Sequence, residues 1–125
     1  MNSKSILIVA GEPNSIFLEI FFKSIKSKKI KNPLILITSE KILKKQMKKL
    51  NFKKKIKILD RNKFYNQKLN NKSINLININ FDQKKIFEKI SKKSNKFITD
   101  CFNVAFEILA ATKIYKFING PINKK

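Results

Sequence analysis

Short apolar runs alternate along the chain with stretches in which apolar residues recur every three or four positions. The first run, residues 6–10, is unbroken and rich in β-branched side chains, as in a strand buried on both faces of a parallel sheet. Further runs predict strands at residues 34–37, 55–59, 74–81 and 115–118. The spacing between them predicts helices near 16–25 and 42–50, and a long or broken helix over 83–112.

Each predicted helix has an apolar stripe that we expect to cover the sheet. In the first helix the stripe comprises Ile16, Phe17, Ile20, Phe21 and Ile25. The second helix carries Ile42, Leu43, Met47 and Leu50 at this spacing, together with the polar Gln46. In the third helix the stripe comprises Phe97, Ile98, Cys101, Phe102, Ala105, Ile108 and Leu109. The side chains of Asn14 or Ser15, and of Thr38 or Ser39, are placed to cap the first two helices.

Strands that alternate with amphipathic helices are typical of α/β proteins. We therefore predict one α/β domain over residues 1–125, with a mainly parallel sheet, helices on both faces (α/β/α) and right-handed crossovers. Functional sites in such folds lie beyond the carboxyl ends of the strands, where two loops with glycine and proline, residues 11–14 and 119–124, are expected. Each loop holds one of the chain's two glycines, so we expect unusual dihedral angles or a close approach there.

Length and composition agree with a single folded domain. Of the 125 residues, 42% are hydrophobic, which argues against a disordered chain. No apolar run approaches the roughly 20 residues that span a bilayer. The apolar stretch within residues 1–10 is too short for a secretory signal, so we expect a cytoplasmic protein. The single Cys101 has apolar neighbours and is expected to be structural. The chain has no histidine, the commonest general base and transition-metal ligand.

The formal charge of +21 first suggests a nucleic-acid partner, because clustered cations displace counterions from phosphates. Only Arg61 is an arginine, however, and the chain is also crowded with Ile and Asn, as A/T-rich codons would produce. Base readout and bidentate phosphate contacts usually favour arginine over lysine. We therefore attribute the charge first to codon composition, and we expect neither a nucleic-acid partner nor a membrane partner.

The first loop reads Gly11-Glu12-Pro13-Asn14, and the second begins Asn119-Gly120-Pro121. Both resemble motifs of the 4-hydroxythreonine-4-phosphate dehydrogenase family. That family typically opens with a strand followed by G-[DE]-P-A-G-I-G-P-E, and the matching positions here are Gly11, Glu12, Pro13, Ile16 and Glu19. The positions that depart from this pattern are Asn14, Ser15, Phe17 and Leu18. The second loop is similar to the family's T-[GA]-P-[IV]-x-K, and its matching positions are Gly120, Pro121, Ile122 and Lys124. Asn119 replaces the usual threonine, and the two motifs stand in the family's order.

This resemblance implies an isocitrate-dehydrogenase-like fold, incomplete in this chain, and an enzyme of vitamin B6 biosynthesis. Such an enzyme oxidises 4-hydroxythreonine 4-phosphate with NAD, followed by decarboxylation, and works as a homodimer. It also holds a divalent metal through histidines that follow the second motif. The chain would then be the amino-terminal part of a longer enzyme. We expect this part to contain no catalytic residue, to bind neither NAD nor metal by itself, and to be inactive alone.

The resemblance also gives the loop residues candidate roles. Lys124 is the residue most suited to a substrate phosphate, because an ammonium beside turn amides makes an anion site, although a solvated lysine is an equal alternative. Glu12 could orient substrate, but we favour an interaction with the positive end of the first helix. Asn14 is expected to cap that helix. The remaining candidates would shape the substrate loops through geometry alone: Gly11, Pro13, Gly120 and Pro121.

Two further positions have alternative interpretations. Phe17 replaces a glycine of the family motif, and it either points into the core or faces the loop, where it would reduce the room for substrate. Glu19 could reach a neighbouring loop, but pairing with Lys23 at the i,i+4 spacing is the simpler interpretation.

The alternative function is a small basic α/β module that binds nucleic acid or an acidic partner. It predicts lysines gathered on one face, with exposed aromatic side chains among them. In the sequence the lysines are spread over nearly every helix and connection, with local runs such as residues 53–55.

Overall fold

The computed structural model describes residues 5–11, 16–27, 30–60, 62–63, 68–80, 92–112, 114 and 116–120. Within these ranges strands and helices alternate, as the hydrophobic pattern predicts. The strands are β1 (Ile6–Val9), β2 (Leu34–Thr38), β3 (Ile56–Ile58), β4 (Ile74–Asn78) and β5 (Lys116–Asn119). The helices are α1 (Phe17–Lys26), α2 (Glu40–Lys49) and α3 (Lys92–Ala111).

The strands form one sheet in the order β3-β4-β2-β1-β5, and every neighbouring pair is parallel. Helices α1 and α2 contact each other, whereas α3 packs on β1 and β2. The chain moves along the sheet in one direction from β1 to β3 and returns from β4 to β5. Right-handed crossovers therefore place α3 on the face opposite α1 and α2. The predicted α/β fold, with helices on both faces of a parallel sheet, is confirmed.

The core lies along the three inner strands β1, β2 and β4. Leu7, Ile35 and Leu76 have no exposed surface, as expected for strands covered on both faces. Asn75 is a polar residue within this core, and its side-chain amide donates hydrogen bonds to the carbonyl oxygens of Leu34 (3.0 Å) and Asn70 (2.9 Å). These bonds offset the cost of removing the amide from water.

Helix α1 presents a different face to the core from the one predicted. Its buried residues are Leu18, Phe21, Phe22 and Ile25. The predicted stripe is therefore wrong at Ile16 and Ile20, which are 68% and 50% exposed. The physical reason is that α1 has apolar residues on two adjacent faces. The face that contains Phe22 is the buried one, because the Phe22 ring stacks on the ring of Phe52, which follows α2. The two ring centroids are 4.6 Å apart.

Helix α2 matches its prediction closely. Of the two candidate caps, Ser39 is the one used: its hydroxyl accepts a hydrogen bond from the amide of Ile42, at 3.4 Å. The predicted residues Ile42, Leu43 and Met47 are buried, and Leu50 packs against the core. The helix thus buries the expected face.

The later elements also follow the sequence pattern, with shifted ends. In α3 the buried residues are Phe97, Ile98, Cys101, Val104, Ala105 and Ile108, and all but Val104 were expected. Strand β4 ends at Asn78, before the predicted end at 81, and the helical residues predicted over 83–91 lie outside the described ranges. No helix in the described part of the chain is long and apolar enough to cross a bilayer.

Candidate functional site

The two glycine-containing loops meet at the carboxyl edge of the sheet. Strands β1 and β5 are adjacent and parallel, and Val9 is aligned with Asn119. The amide of Gly120 donates a 2.7 Å hydrogen bond to the carbonyl oxygen of Val9, so the pairing extends one residue beyond the ladder. Gly11 follows β1 on the same edge, and both glycines are buried. The structure thus brings together the starts of the two loops that the sequence singled out.

Gly11 fills a backbone position that side chains tolerate poorly. Its φ is 80°, in the left-handed region where an L-residue with a Cβ is strained. The chain leaves β1 by this turn, just after the amide of Ala10 donates to the carbonyl oxygen of Ile37 at 3.3 Å. The expectation of an unusual dihedral angle is confirmed at Gly11.

Gly120 is required for a different reason: there is no room for a side chain at this position. A Cβ built on Gly120 would overlap the carbonyl oxygen of Ala10 and lie 2.8 Å from that residue's carbonyl carbon. It would also lie 2.9 Å from Cγ of Phe17. Because the first obstacle is backbone, a small side-chain rotation cannot relieve the overlap. The second expectation, a close approach of the backbone, is confirmed at Gly120.

The sequence left two alternatives for Phe17, a ring in the core or a ring facing the loop, and the structure shows part of each. Its side chain is half-buried and packs against the core, while Cγ stands over Gly120 at the start of the second loop. The ring therefore occupies space directly beside the meeting point of β1 and β5. A glycine at position 17 would leave that space open.

Most of the other candidate residues lie outside the described ranges. These are Glu12, Pro13, Asn14, Pro121 and Lys124, together with the candidate cap Ser15. Helix α1 begins after Ile16, which makes no side-chain cap. The side-chain amide of Asn119, the residue in place of the family's threonine, donates to the carbonyl oxygen of Gly120 at 3.0 Å. Glu19 pairs with Lys23 at 3.9 Å on an exposed surface, as the simpler interpretation predicted.

A polar groove of about 700 Å³ opens at the same edge of the sheet, beside β3 and β4. Sequence reasoning missed it, although a signal was available, because polar residues follow both strands. Asp60 and Asp100 line the groove together with several asparagines. Asn78 in this group accepts a 2.8 Å hydrogen bond from the amide of Glu40 and so caps α2 from a neighbouring strand. Asp60 accepts a 2.9 Å bond from the amide of Asn62.

Neither the groove nor the glycine loops assemble a metal site from described residues. No three His, Cys, Asp or Glu side chains come together within the described ranges. Cys101 is buried in α3, and burial, with a smaller contribution from the charge of Asp100, raises the pKa of its thiol from 9.0 to about 12. A thiol with that pKa stays protonated near neutral pH and is a poor nucleophile, in agreement with a structural role.

Comparisons with known proteins identify the architecture. No protein-family model matches the sequence. No curated protein matches it either. Among solved structures, the chain is similar to a 4-hydroxythreonine-4-phosphate dehydrogenase from Burkholderia phymatum, with 18% identity and a TM-score of 0.78. It is also similar to a 4-hydroxythreonine-4-phosphate dehydrogenase from Klebsiella pneumoniae, with 17% identity and a TM-score of 0.81.

Both alignments cover 97% of this chain and 37% of the other, so the chain spans just over a third of the length of these enzymes. At these identities the likeness establishes a shared fold. The five-stranded parallel sheet described above is that fold.

Proposed function

We propose that this chain forms the amino-terminal part of an NAD-dependent oxidoreductase that acts on 4-hydroxythreonine 4-phosphate in vitamin B6 biosynthesis. One observation carries the proposal. The glycine ends of β1 and β5, which carry the two sequence motifs, meet at the carboxyl edge of a sheet shared with dehydrogenases of this kind. Ligands of open parallel sheets bind at this edge.

The described residues of the site act on substrate through geometry. Gly11 turns the chain away from β1, and Gly120 allows the backbone of β5 to press against Ala10. Both loops therefore leave the sheet from fixed and adjacent points. We assign Glu12, Pro13, Asn14 and Pro121 to the walls of the substrate site. Lys124, four residues beyond Gly120, is assigned to the substrate phosphate, because an ammonium group suits a phosphate as a point charge.

Phe17 changes the shape of this site from the shape that the family motif would give. A ring beside Gly120 reduces the room where the motif has a glycine. We infer that this enzyme either seats its substrate farther from the end of β5 or accepts a narrower one. In either case, replacing Phe17 by glycine changes KM more than it changes kcat, because the ring limits the fit of the bound substrate rather than supplying a reacting group.

The residues of this chain do not fit the metal-binding part of the proposed reaction. The sequence has no histidine, and the described residues contain no cluster of three candidate ligands. In our proposal the divalent metal, the NAD and the groups that move protons are therefore held outside this third of the enzyme, in a homodimer. The chain alone should bind substrate weakly and should not reduce NAD.

The test begins with the coding DNA beyond the codon for Lys125. We expect an in-frame continuation with further histidines, whose protein product forms NADH when 4-hydroxythreonine 4-phosphate, NAD and a divalent metal are all present. A product with those histidines that forms no NADH would contradict the proposal. So would a stop codon with no second gene that supplies the remainder.

The role of Lys124 is tested in the same enzyme by Lys124→Gln, with Lys125→Gln as the matched control. Loss of one phosphate contact should raise KM by roughly tenfold for Lys124→Gln, while the control stays within about twofold. Equal effects of the two variants would remove Lys124 from the substrate site and leave a solvated lysine.

A further inference from the structure

A second groove, of about 720 Å³, opens at the opposite edge of the sheet. Four lysines line it: Lys26, Lys53, Lys54 and Lys72. Its apolar part is formed by Ile25, Ile30 and Phe52. These residues end α1 or precede β2, β3 and β4, so the groove lies at the amino ends of the strands. The glycine loops lie at the other end of the strands. Along the strand direction, the five residues of β2 correspond to about 16 Å. We call this second groove the lysine groove.

Charge composition alone does not explain the lysine groove. The polar groove beside β3 and β4 has nearly the same volume, yet its described lining contains two aspartates and no lysine. The described lining of the lysine groove contains four lysines and no carboxylate. A general excess of lysine would supply both grooves. Among the described lining residues, the lysines are thus gathered in the groove at the amino edge of the sheet.

The four lysines also lack carboxylate partners among the described residues. The described ion pairs join Lys23 to Glu19 and Lys44 to Glu40, away from this groove. Four like charges that line one groove repel one another, at a cost that solvent screening keeps small because Lys26, Lys53 and Lys72 are exposed. A bound anion would remove that cost, so the arrangement favours an anionic ligand.

The wall beyond α2 is fixed by hydrogen bonds. Asn51 adopts a φ of 52°, and its amide donates to the carbonyl oxygen of Lys48, at 3.3 Å. The amide of Phe52 donates to the carbonyl oxygen of Met47, at 2.8 Å. This pair of bonds is a Schellman motif, which reverses the chain and sends Lys53 into the groove.

The wall before β4 is held by the side chain of Asn71. Its oxygen accepts a 2.9 Å hydrogen bond from the amide of Leu34. Its amide group donates to the carbonyl oxygens of Asn32 (2.9 Å) and Ile30 (3.4 Å). The backbone that carries Lys72 is thus tied to the loop before β2. A cavity between two such fixed turns is formed before any ligand arrives.

We propose that the lysine groove binds a small phosphorylated ligand of the nucleoside polyphosphate class. Lysine ammonium groups bind phosphates as point charges, and several of them match a chain of phosphates. Ile30, which is 37% exposed, and the half-buried Phe52 offer an apolar surface to the nucleoside. The volume falls within the range of small-molecule sites, roughly 300–1,000 Å³, which suits one nucleotide rather than a long strand. This ligand is separate from the substrate at the glycine loops.

Calorimetric titration of the 125-residue chain with ATP, without added metal at about 0.15 M salt, tests the proposal. The groove variant is Lys53→Gln/Lys54→Gln/Lys72→Gln. The matched control, with the same loss of charge, carries exposed α2 substitutions: Lys41→Gln/Lys45→Gln/Lys48→Gln. We expect the groove variant to weaken ATP binding by roughly tenfold or more, from three lost ion pairs, and the control by less than about twofold. Circular dichroism verifies that both variants are folded.

Inorganic pyrophosphate and a single-stranded RNA oligonucleotide complete the design. Pyrophosphate should bind more weakly than ATP, because it has no nucleoside for the apolar surface. Equal weakening by the two triple variants would show that total charge, rather than the groove, attracts ATP. Pyrophosphate binding as tight as that of ATP would also overturn the proposal. So would RNA that binds more tightly than ATP through the same lysines, because the ligand would then be a polynucleotide.

Discussion

At the scale of single residues, the two glycines illustrate how one residue type meets two physical demands. Gly11 is needed for its dihedral angle, and Gly120 is needed because another stretch of backbone occupies the place of its side chain. A chain with so few glycines retains them where any side chain would be costly. The sequence could indicate that both positions were special, but the contact between Gly120 and Ala10 depends on the pairing of two strands far apart in the chain.

Substitution of either glycine should destabilise the protein, by different amounts. Gly11→Ala should lower the free energy of unfolding by about 1–2 kcal/mol, the cost of a left-handed dihedral angle. Gly120→Ala should lower it by about 3 kcal/mol or more, because backbone must move. Urea unfolding followed by circular dichroism measures both values. The double variant Phe17→Ala/Gly120→Ala should not recover stability, and recovery would mean that the ring, rather than Ala10, is the obstacle.

Cys101 should make stability depend on alkaline pH. Its pKa of about 12 in the folded protein exceeds the ordinary 9.0, so between these values the unfolded chain releases a proton that the folded chain keeps. The contribution of this thiol to the free energy of unfolding should therefore fall by about 1.4 kcal/mol per pH unit between pH 9 and pH 12, and be unchanged below pH 9. Cys101→Ala should remove this dependence. Parallel pH profiles for the two proteins would refute the assignment.

At the scale of elements, the sequence predicted what depends on local pattern. The strand and helix order, a cap at Thr38 or Ser39 and the stripe of α3 follow from periodicity and short-range hydrogen bonding. The structure uses Ser39. The buried face of α1 could not be predicted, because two adjacent faces are apolar and the contact of Phe22 with Phe52 decides between them. Neither groove was predicted, since each is built by turns that meet only when the sheet forms.

The Asn71 side chain joins two elements, and its loss should be costly. Asn71→Ala removes three hydrogen bonds and leaves the amide of Leu34 without its acceptor. We expect the free energy of unfolding to fall by about 2–3 kcal/mol. Asn70→Ala is a suitable control, because the Asn70 side chain accepts one exposed bond from the amide of Lys72 and should cost less than about 1 kcal/mol. Equal losses would mean that Asn71 does not tie the loops together.

At the scale of the whole molecule, repulsion between positive charges opposes the compact folded state. The net charge of +21 on 125 residues creates repulsion that salt screens. The melting temperature should rise as sodium chloride is increased from about 0.01 M to 0.5 M, because the Debye length falls from about 30 Å to a few ångströms. Differential scanning calorimetry measures this dependence. A melting temperature that falls over the same range would mean that attractive pairs outweigh the repulsion.

The length of the chain determines how much of the proposed enzyme it can contain. The chain spans just over a third of the length of its structural neighbours. In our proposal it contributes the two glycine loops and the sheet that positions them. Its fold followed from the hydrophobic pattern, while the metal and NAD sites that we propose for the whole enzyme require residues that this sequence does not contain. The central claim is therefore the place at which substrate binds.

The most direct test is a titration of the ¹⁵N-labelled chain with 4-hydroxythreonine 4-phosphate, followed by amide chemical shifts, with 4-hydroxythreonine as the control that lacks phosphate. We predict shifts concentrated at Gly11, Gly120 and their neighbours for the phosphorylated compound and much smaller shifts for the control. Shifts confined to the lysine groove, or no shifts at the two glycines, would contradict the claim that β1 and β5 build the substrate site.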